Sequence, residues 1–446
     1  MNTPTIQNKT SRRDFLKTTS TAVAGGTLLG TLGIGRSAFA EGNETLKIAL
    51  IGCGGRGTGA ADQALKADKG LKLVALADAF KDRLDTAFEG LKKEHSEKME
   101  VSDDHKFVGF DAYKQAIALA DVVIFATPPG FRPIHFEEAV RQGKHVFMEK
   151  PVAVDGPGIQ KVLAAALEAK KKNLKVGVGL QRRHQPNYIE TVKRLQDGAI
   201  GDIVSSRVYW NGGPVGPKGK REEIKKSLGR DPTEMEYQMR NWYMFNWLCG
   251  DHIVEQHIHN LDVINWIKNS YPVRAHGMGG RAFQKGPDSG EIFDHHAVEY
   301  EYADGSRMFS QCRQIPECWN SVSEHAQGTK GTCDVSAQKI TGEKAWRYKP
   351  ADGETNDGWQ LEHFPFFKAI RNNEDYNEAE RGAFSTLTAI MGRMATYSGK
   401  IIEWNEALNS KLDLMPKSFS WDAAPLVLPD AQGSYPFAVP GKTVAV

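Results

Sequence analysis

Residues 46 to 173 alternate short apolar runs with stretches in which apolar residues return every three or four positions. The runs at 46–51, 71–77, 121–126 and 145–148 read as buried strands. Amphipathic helices are predicted near 58–65, 81–93, 134–142 and 156–172. Strictly alternating strand and helix predicts a doubly wound parallel sheet with right-handed crossovers. From Lys175 the pattern changes. Residues 176–180 read as a strand entering a second domain, 187–197 as a helix, and 203–210 as a strand with alternating faces. Residues 297–302 and 306–311, joined by Ala303-Asp304-Gly305, read as a hairpin. More strands and fewer helices predict an α+β domain on a mostly antiparallel open sheet. The charged, turn-rich stretch 218–239 reads as a surface insertion. The chain is thus divided into an α/β domain over 46–173, an α+β domain over 174–412 and a Pro-rich tail over 413–446.

The first strand ends in Gly52-x-Gly54-x-x-Gly57, and Asp78 follows 21 positions later at the end of the second strand. In a strand–turn–helix setting, the first glycine permits the tight turn. The second lets backbone approach a pyrophosphate, and the third lets helix and strand pack closely. The helix N-terminus offers free N–H groups to phosphate, and Asp78 would take ribose hydroxyls. This is a Rossmann-type dinucleotide site. The carboxylate favours NAD over NADP, although Arg83 would meet a 2′-phosphate if Asp78 turned away. Ligands of such sheets sit at the strands' carboxyl ends. Thr127-Pro128 and Glu149-Lys150-Pro151 occupy two of those ends and should face the nicotinamide.

The N-terminus adds a second constraint. Ser11-Arg12-Arg13-Asp14-Phe15-Leu16-Lys17 is a twin-arginine pattern, a Gly/Thr/Ala-rich apolar run follows, and Ser37-Ala38-Phe39-Ala40 supplies an A-x-A cleavage site. Residues 1–40 are therefore read as a twin-arginine export signal that delivers a folded protein to the periplasm or beyond. Their removal takes Lys9, Arg12, Arg13, Lys17, Arg36 and Asp14 from totals of 57 basic and 55 acidic residues, leaving 52 and 54. That balance gives no electrostatic case for nucleic acid. No later apolar run predicts a stable membrane span. The five cysteines show no zinc-type spacing, and Cys312 with Cys318 is left open as a disulfide.

Taken together, Gly52-x-Gly54-x-x-Gly57, Asp78, Ala126-Thr127-Pro128, the run from Gly143 to Glu149-Lys150-Pro151, and Glu255-x-x-x-His259-x-x-Asp262 resemble the Gfo/Idh/MocA family of nicotinamide-dependent oxidoreductases. The likeness spans roughly residues 46 to 405. It implies a sugar or polyol substrate and an open sheet that often mediates homodimers or tetramers. It also implies that Lys150 contacts substrate and tunes a proton relay, with Glu149 near the nicotinamide ribose. His259 is the candidate acid/base, because histidine titrates in the range needed to take a hydroxyl proton. Glu255, four residues earlier, would share a helical face with it and orient the imidazole. The family more often carries Asp there. Asp262 falls on the same side.

Arg183, within Gln181-Arg182-Arg183-His184, is placed at the substrate mouth with Tyr188, Asp262 and Trp242, the aromatics as stacking faces for a sugar ring. Glu255 and His259, with His252 a turn earlier, also suggest zinc. His257 points the other way and no cysteine has matching spacing, so no metal is expected. An exported enzyme finds no free NAD(H), so the cofactor should travel tightly bound and be recycled within the site. The expected activity is NAD-dependent oxidation of a sugar or polyol CH–OH. The alternative is a redox-neutral glycoside hydrolase or lyase acting through a transient keto-sugar.

Overall fold

The computed structural model describes residues 45–215 and 219–446. The twin-arginine segment, its apolar run and Ala40 lie outside the described residues. The described residues belong to one compact unit that contains two sheets.

The first sheet is parallel and has six strands. These are β1 (Leu46–Ile51), β2 (Leu71–Asp78), β3 (Lys106–Val108), β4 (Val122–Phe125), β5 (His145–Met148) and β6 (Val176–Val178), in the order β3-β2-β1-β4-β5-β6. β4 is buried along its whole length, as expected of a parallel strand covered on both faces. The covering helices are α1 (Gly55–Ala67), α2 (Lys81–Glu94), α3 (Ala112–Leu119), α4 (Arg132–Arg141) and α5 (Gly156–Lys171). Helix α1 buries only small residues near its centre, Ala60, Ala61 and Ala64, so it lies close to the sheet. Helix α5 starts where the Asp155 side chain accepts the Gly158 N–H at 2.8 Å. The strand order reverses between β1 and β4, and the loops after these two strands open a cleft there.

The second sheet has nine strands in the order β14-β13-β12-β11-β7-β10-β9-β8-β15. Its central members are β7 (Ile203–Gly212), β8 (Arg274–Gly280), β9 (His295–Glu301), β10 (Arg307–Gln314) and β11 (Ser321–Gly328). β12 (Gly331–Asp334), β13 (Lys339–Gly342), β14 (Trp346–Arg347) and β15 (Ile402–Glu403) extend it. β10 runs parallel to β7, and the other pairings are antiparallel. Helices α6 (Pro186–Gln196), α7 (Ile258–Lys268) and α8 (Ala379–Ser398) accompany this sheet. Along β10, Met308, Ser310, Cys312 and Gln314 are buried while Phe309 stays exposed, the period of a strand with one covered face.

Three features depart from the expected organisation. The strand at 176–178 is the sixth strand of the first sheet, pairing with β5, and does not begin the second domain. The stretch from Gly219 to Met239 forms two short helices, and Met235 and Tyr237 are buried in an aromatic cluster, because its apolar residues recur at helical spacing between the charges. The tail is also more than surface wrapping: Phe419 and Trp421 pack against Phe110, and Trp421 also meets Phe80 beside the cleft. Cys312 and Cys318 are both free thiols, one buried and one exposed.

Candidate active site

The turn after β1 is built by its glycines. Gly52 has φ +94°, and a Cβ there would stand 2.5 Å from the Thr127 amide. A Cβ on Gly57 would stand 1.9 Å from the Gly52 carbonyl oxygen, so this position sets how close α1 comes to the strand. A Cβ on Gly54 would meet only Arg83 Nη1, at 3.8 Å, and would otherwise project into the cleft. The first intrahelical bond of α1 runs from Thr58 N–H to the Gly54 carbonyl. The amides of Gly55, Arg56 and Gly57 therefore have no helical acceptor and can meet phosphate.

The cleft above this turn encloses about 350 Å³ and is walled by Asp78, Phe80, Arg83, Thr127, Pro128 and Trp242, among others. Asp78 holds the loop as well as facing the cleft: its two oxygens accept the Cys53 N–H at 2.7 Å and the Phe80 N–H at 2.8 Å. Burial pushes its carboxyl above the ordinary value. Open glycine, free amides and an acid at the second strand's end fit a dinucleotide: Gly54, Gly55 and Arg56 would hold its pyrophosphate, and Asp78 its ribose.

Beyond the cleft, the strand ends carry the polar chemistry. Lys150 Nζ donates to the Glu255 carbonyl at 2.6 Å and to Glu255 Oε1 at 2.9 Å, and both side chains are largely buried. Two of the three ammonium protons are thus engaged, leaving one N–H for a further oxygen. His259 is buried, its ring lies 6.1 Å from Trp210 in stacked orientation, and its Nδ1 has no hydrogen-bond partner. Burial first, then the charges of Lys150, Arg182 and Arg56, hold this imidazole well below the usual histidine range. It is therefore a neutral base at neutral pH.

Lys150, Glu255 and His259 are brought together as expected, but by a different route from the expected one. Glu255 ends the short helix His252–Glu255 and His259 is the second residue of α7, with Gln256 and His257 between the two helices, so the two do not share one helix face.

Other expected roles change. Arg183 and Asp262 form a bidentate pair with each other, Nε to Oδ2 at 2.9 Å and Nη2 to Oδ1 at 2.8 Å, and Ser385 donates to the same carboxylate at 2.6 Å. Both side chains are consumed by that buried pair and are not free for substrate. Tyr188 is buried with its hydroxyl on Glu324 Oε2 at 3.1 Å, a core role. Trp242 lines the nucleotide cleft, so its indole faces cofactor space. Glu149 Oε1 accepts from Arg56 Nε at 2.5 Å, a partner the sequence reading did not anticipate.

Two participants, Arg56 and Glu362, escaped the sequence reading. Arg56 lies inside the glycine loop. Its partner Glu362 is wholly buried, and burial together with Glu149 drives its carboxyl well above the ordinary range. Arg182 pairs with buried Glu324 and stands over the Trp210 ring at 6.0 Å, so Arg182 and Trp210 form a wall beside His259. None of these couplings has a local sequence signal, since each joins segments far apart in the chain.

The neighbouring histidines separate into two groups. His257 Nε2 meets Ser310 Oγ on β10 at 2.8 Å. Asp251, His252 and His296 form a second buried group one turn before Glu255. Asp251 adopts φ +76°, a strained conformation for a non-glycine residue.

Residues 46–180 match the Gfo/Idh/MocA group described as an oxidoreductase family with an NAD-binding Rossmann fold. The chain is 23% identical over 298 residues to inositol 2-dehydrogenase of Rhizobium meliloti (strain 1021), covering 66% of this chain and 77% of that protein. It is 35% identical over 156 residues to a glycosyl hydrolase family 109 protein of Solibacter usitatus (strain Ellin6076), covering 33% of this chain and 34% of the other. The aligned stretch thus spans only about a third of that second relative. Among solved structures, scyllo-inositol dehydrogenase from Lactobacillus casei with bound NAD(H) and scyllo-inositol superposes with a TM-score of 0.58 at 21% identity, covering 81% of this chain and 100% of that one. At that identity the superposition establishes a common fold.

Proposed function

With residues 46–180 forming the NAD-binding Rossmann domain of the Gfo/Idh/MocA oxidoreductases, we propose that this chain oxidises a CH–OH group of a sugar or polyol. We further propose that it does so with an NAD held tightly and recycled in place, after export by the twin-arginine route to the periplasm. When bound, the nicotinamide supplies a hydride acceptor. The protein's own part is proton movement and positioning. His259, buried and neutral, takes the hydroxyl proton through Nε2, the ring nitrogen that is not sealed in the protein interior. Lys150, fixed by Glu255, uses its remaining N–H to hold the reacting oxygen and stabilise the charge that develops there. Arg182 and Trp210 screen the imidazole from water.

The observation that carries this reading is the Lys150–Glu255 ion pair beside a neutral buried histidine, at the strand ends of a nucleotide cleft. Two measurements test it. Mass spectrometry of the mature protein should find NAD(H) at near one per chain. A panel of inositols and aldoses should then reduce that bound cofactor. A site that empties and refills rapidly, with no polyol able to reduce it, refutes the proposal.

The glycosyl hydrolase relative favours a second reading that uses the same residues. There, transient oxidation acidifies a ring proton, the glycosidic group leaves, water adds, and the hydride returns. Release of nitrophenol from nitrophenyl glycosides without net NADH would select it.

A further inference from the structure

The group formed by Asp251, His252 and His296 plays no part in the proposed hydride chemistry. The three residues are 0%, 0% and 2% exposed, and one ligand-capable atom of each lies within 4.8 Å of the others. Asp251 Oδ1 stands 2.9 Å from His252 Nδ1 and 3.2 Å from His296 Nε2. Both contacts are at hydrogen-bonding distance but off the line of a well-directed hydrogen bond. Three buried donor atoms this close together can serve as ligands around a common centre. In a tetrahedral zinc site, with nitrogen and oxygen ligands at about 2.0–2.1 Å, neighbouring donor atoms are about 3.3 Å apart. The two separations from Asp251 Oδ1, 2.9 and 3.2 Å, lie near that edge length, and the two imidazole donors lie within 4.8 Å of each other.

The surroundings prepare each donor. His296 Nδ1 meets Thr396 Oγ1 at 2.9 Å, which fixes the ring and presents Nε2 to the centre. Asp251 Oδ2 accepts the Tyr397 hydroxyl at 2.6 Å and the Phe293 N–H at 3.0 Å, while Oδ1 accepts the His252 backbone N–H at 2.5 Å and is the oxygen nearest the two rings. His296 on β9 lies directly across from the buried Cys312 on β10. All of these groups belong to the inner side of the second sheet or the segment packed on it.

We propose that Asp251, His252 and His296 bind one divalent transition-metal ion, with zinc the best match to two imidazoles and a carboxylate. The ion would clamp the segment carrying Glu255 onto β9. The competing arrangement is a proton-sharing Asp–His–His network with no metal.

Elemental analysis of the mature chain, purified without chelator or metal-affinity resin, should return near one zinc per chain. Anomalous scattering at the zinc edge should place the ion among the three side chains. His252→Gln and His296→Gln should each lower metal content at least roughly tenfold, while Cys318→Ser, at an exposed thiol, should not. If the histidine variants do not fold, cobalt titration of metal-stripped wild type reads the same site through its visible d–d bands. Wild type that carries no metal and takes up neither zinc nor cobalt overturns the proposal, as does metal retained equally by both histidine variants.

Discussion

Gly54 and Gly57 belong to one motif but should fail for different reasons when a methyl group is added. A Gly57→Ala side chain would sit 1.9 Å from the Gly52 carbonyl oxygen and 3.1 Å from the Ala126 methyl. Relief requires α1 and the turn to part by roughly 1 Å, in an interior too densely packed to absorb the change, at a cost of about 1–3 kcal/mol. The same movement displaces the amides of Gly55 and Arg56. Nucleotide affinity should therefore fall about 10- to 100-fold, corresponding to about 1.4–2.8 kcal/mol.

Gly54 has φ −72° and ψ 178°, which any residue adopts, and a Cβ there touches nothing closer than Arg83 Nη1 at 3.8 Å. Gly54→Ala should leave stability within about 0.5 kcal/mol of wild type. It should still weaken NAD binding at least roughly tenfold, because the methyl enters the space a pyrophosphate would occupy. Chemical denaturation of nucleotide-stripped protein reads the first quantity, and equilibrium titration with NAD reads the second. Equal loss of stability in both variants, or unchanged NAD affinity in Gly54→Ala, would refute the reasoning.

Three further outcomes are expected. Lys150→Ala leaves the largely buried Glu255 carboxylate without its counter-ion, so the variant should lose about 3–5 kcal/mol of stability; it should also lose hydride transfer while retaining bound NAD, and turnover surviving the change would displace the centre from Lys150. His259 is held low by burial and by Lys150, so the acid limb of the pH–rate profile should lie below about 6.5, the ordinary value. It binds its proton more weakly folded than unfolded, so protonation destabilises the fold as pH drops through this region, and this contribution should vanish in His259→Asn. Glu291 is buried, and burial raises its carboxyl from 4.5 to about 7. Its ionisation therefore costs stability progressively as pH rises from 4.5 to about 7, reaching roughly 3 kcal/mol above that. Glu291→Gln, which keeps an acceptor for the Asn246 N–H, should flatten that decline in urea titrations at pH 5 and pH 8.

The nucleotide half of the molecule was legible because its signals are local. Gly52, Gly54, Gly57 and Asp78 act through backbone geometry within one strand–turn–helix and the next strand. Apolar runs flanked by helices could only be parallel strands. The strand at 176–178 was assigned to the wrong sheet because three residues carry no information about which neighbour they pair with. The proposed substrate side was legible in so far as the motif residues Lys150 and Glu255 do meet, at 2.9 Å. It was misread where a charge is neutralised by a distant segment. Arg183 and Asp262 are 79 positions apart, Arg56 and Glu149 are 93, and no periodicity in the sequence couples them.

The way residues 363–378 close the first sheet has a consequence for biogenesis. Phe366, Phe367 and Ile370 share one apolar core with Leu46, Ile48 and Leu50. Arg371 grips Asp68 with two bonds, at 2.8 and 3.0 Å, and Val176 exchanges backbone bonds with Tyr376 and Glu378. Truncating either phenylalanine to alanine would remove about 3–5 kcal/mol. The nucleotide cradle is therefore finished only by polypeptide that leaves the ribosome some 300 residues after β1. Under the export proposed above, a translocon threading nascent, unfolded chain would separate these partners, whereas assembly in one compartment before transit would let the late segment lock the early one around its nucleotide.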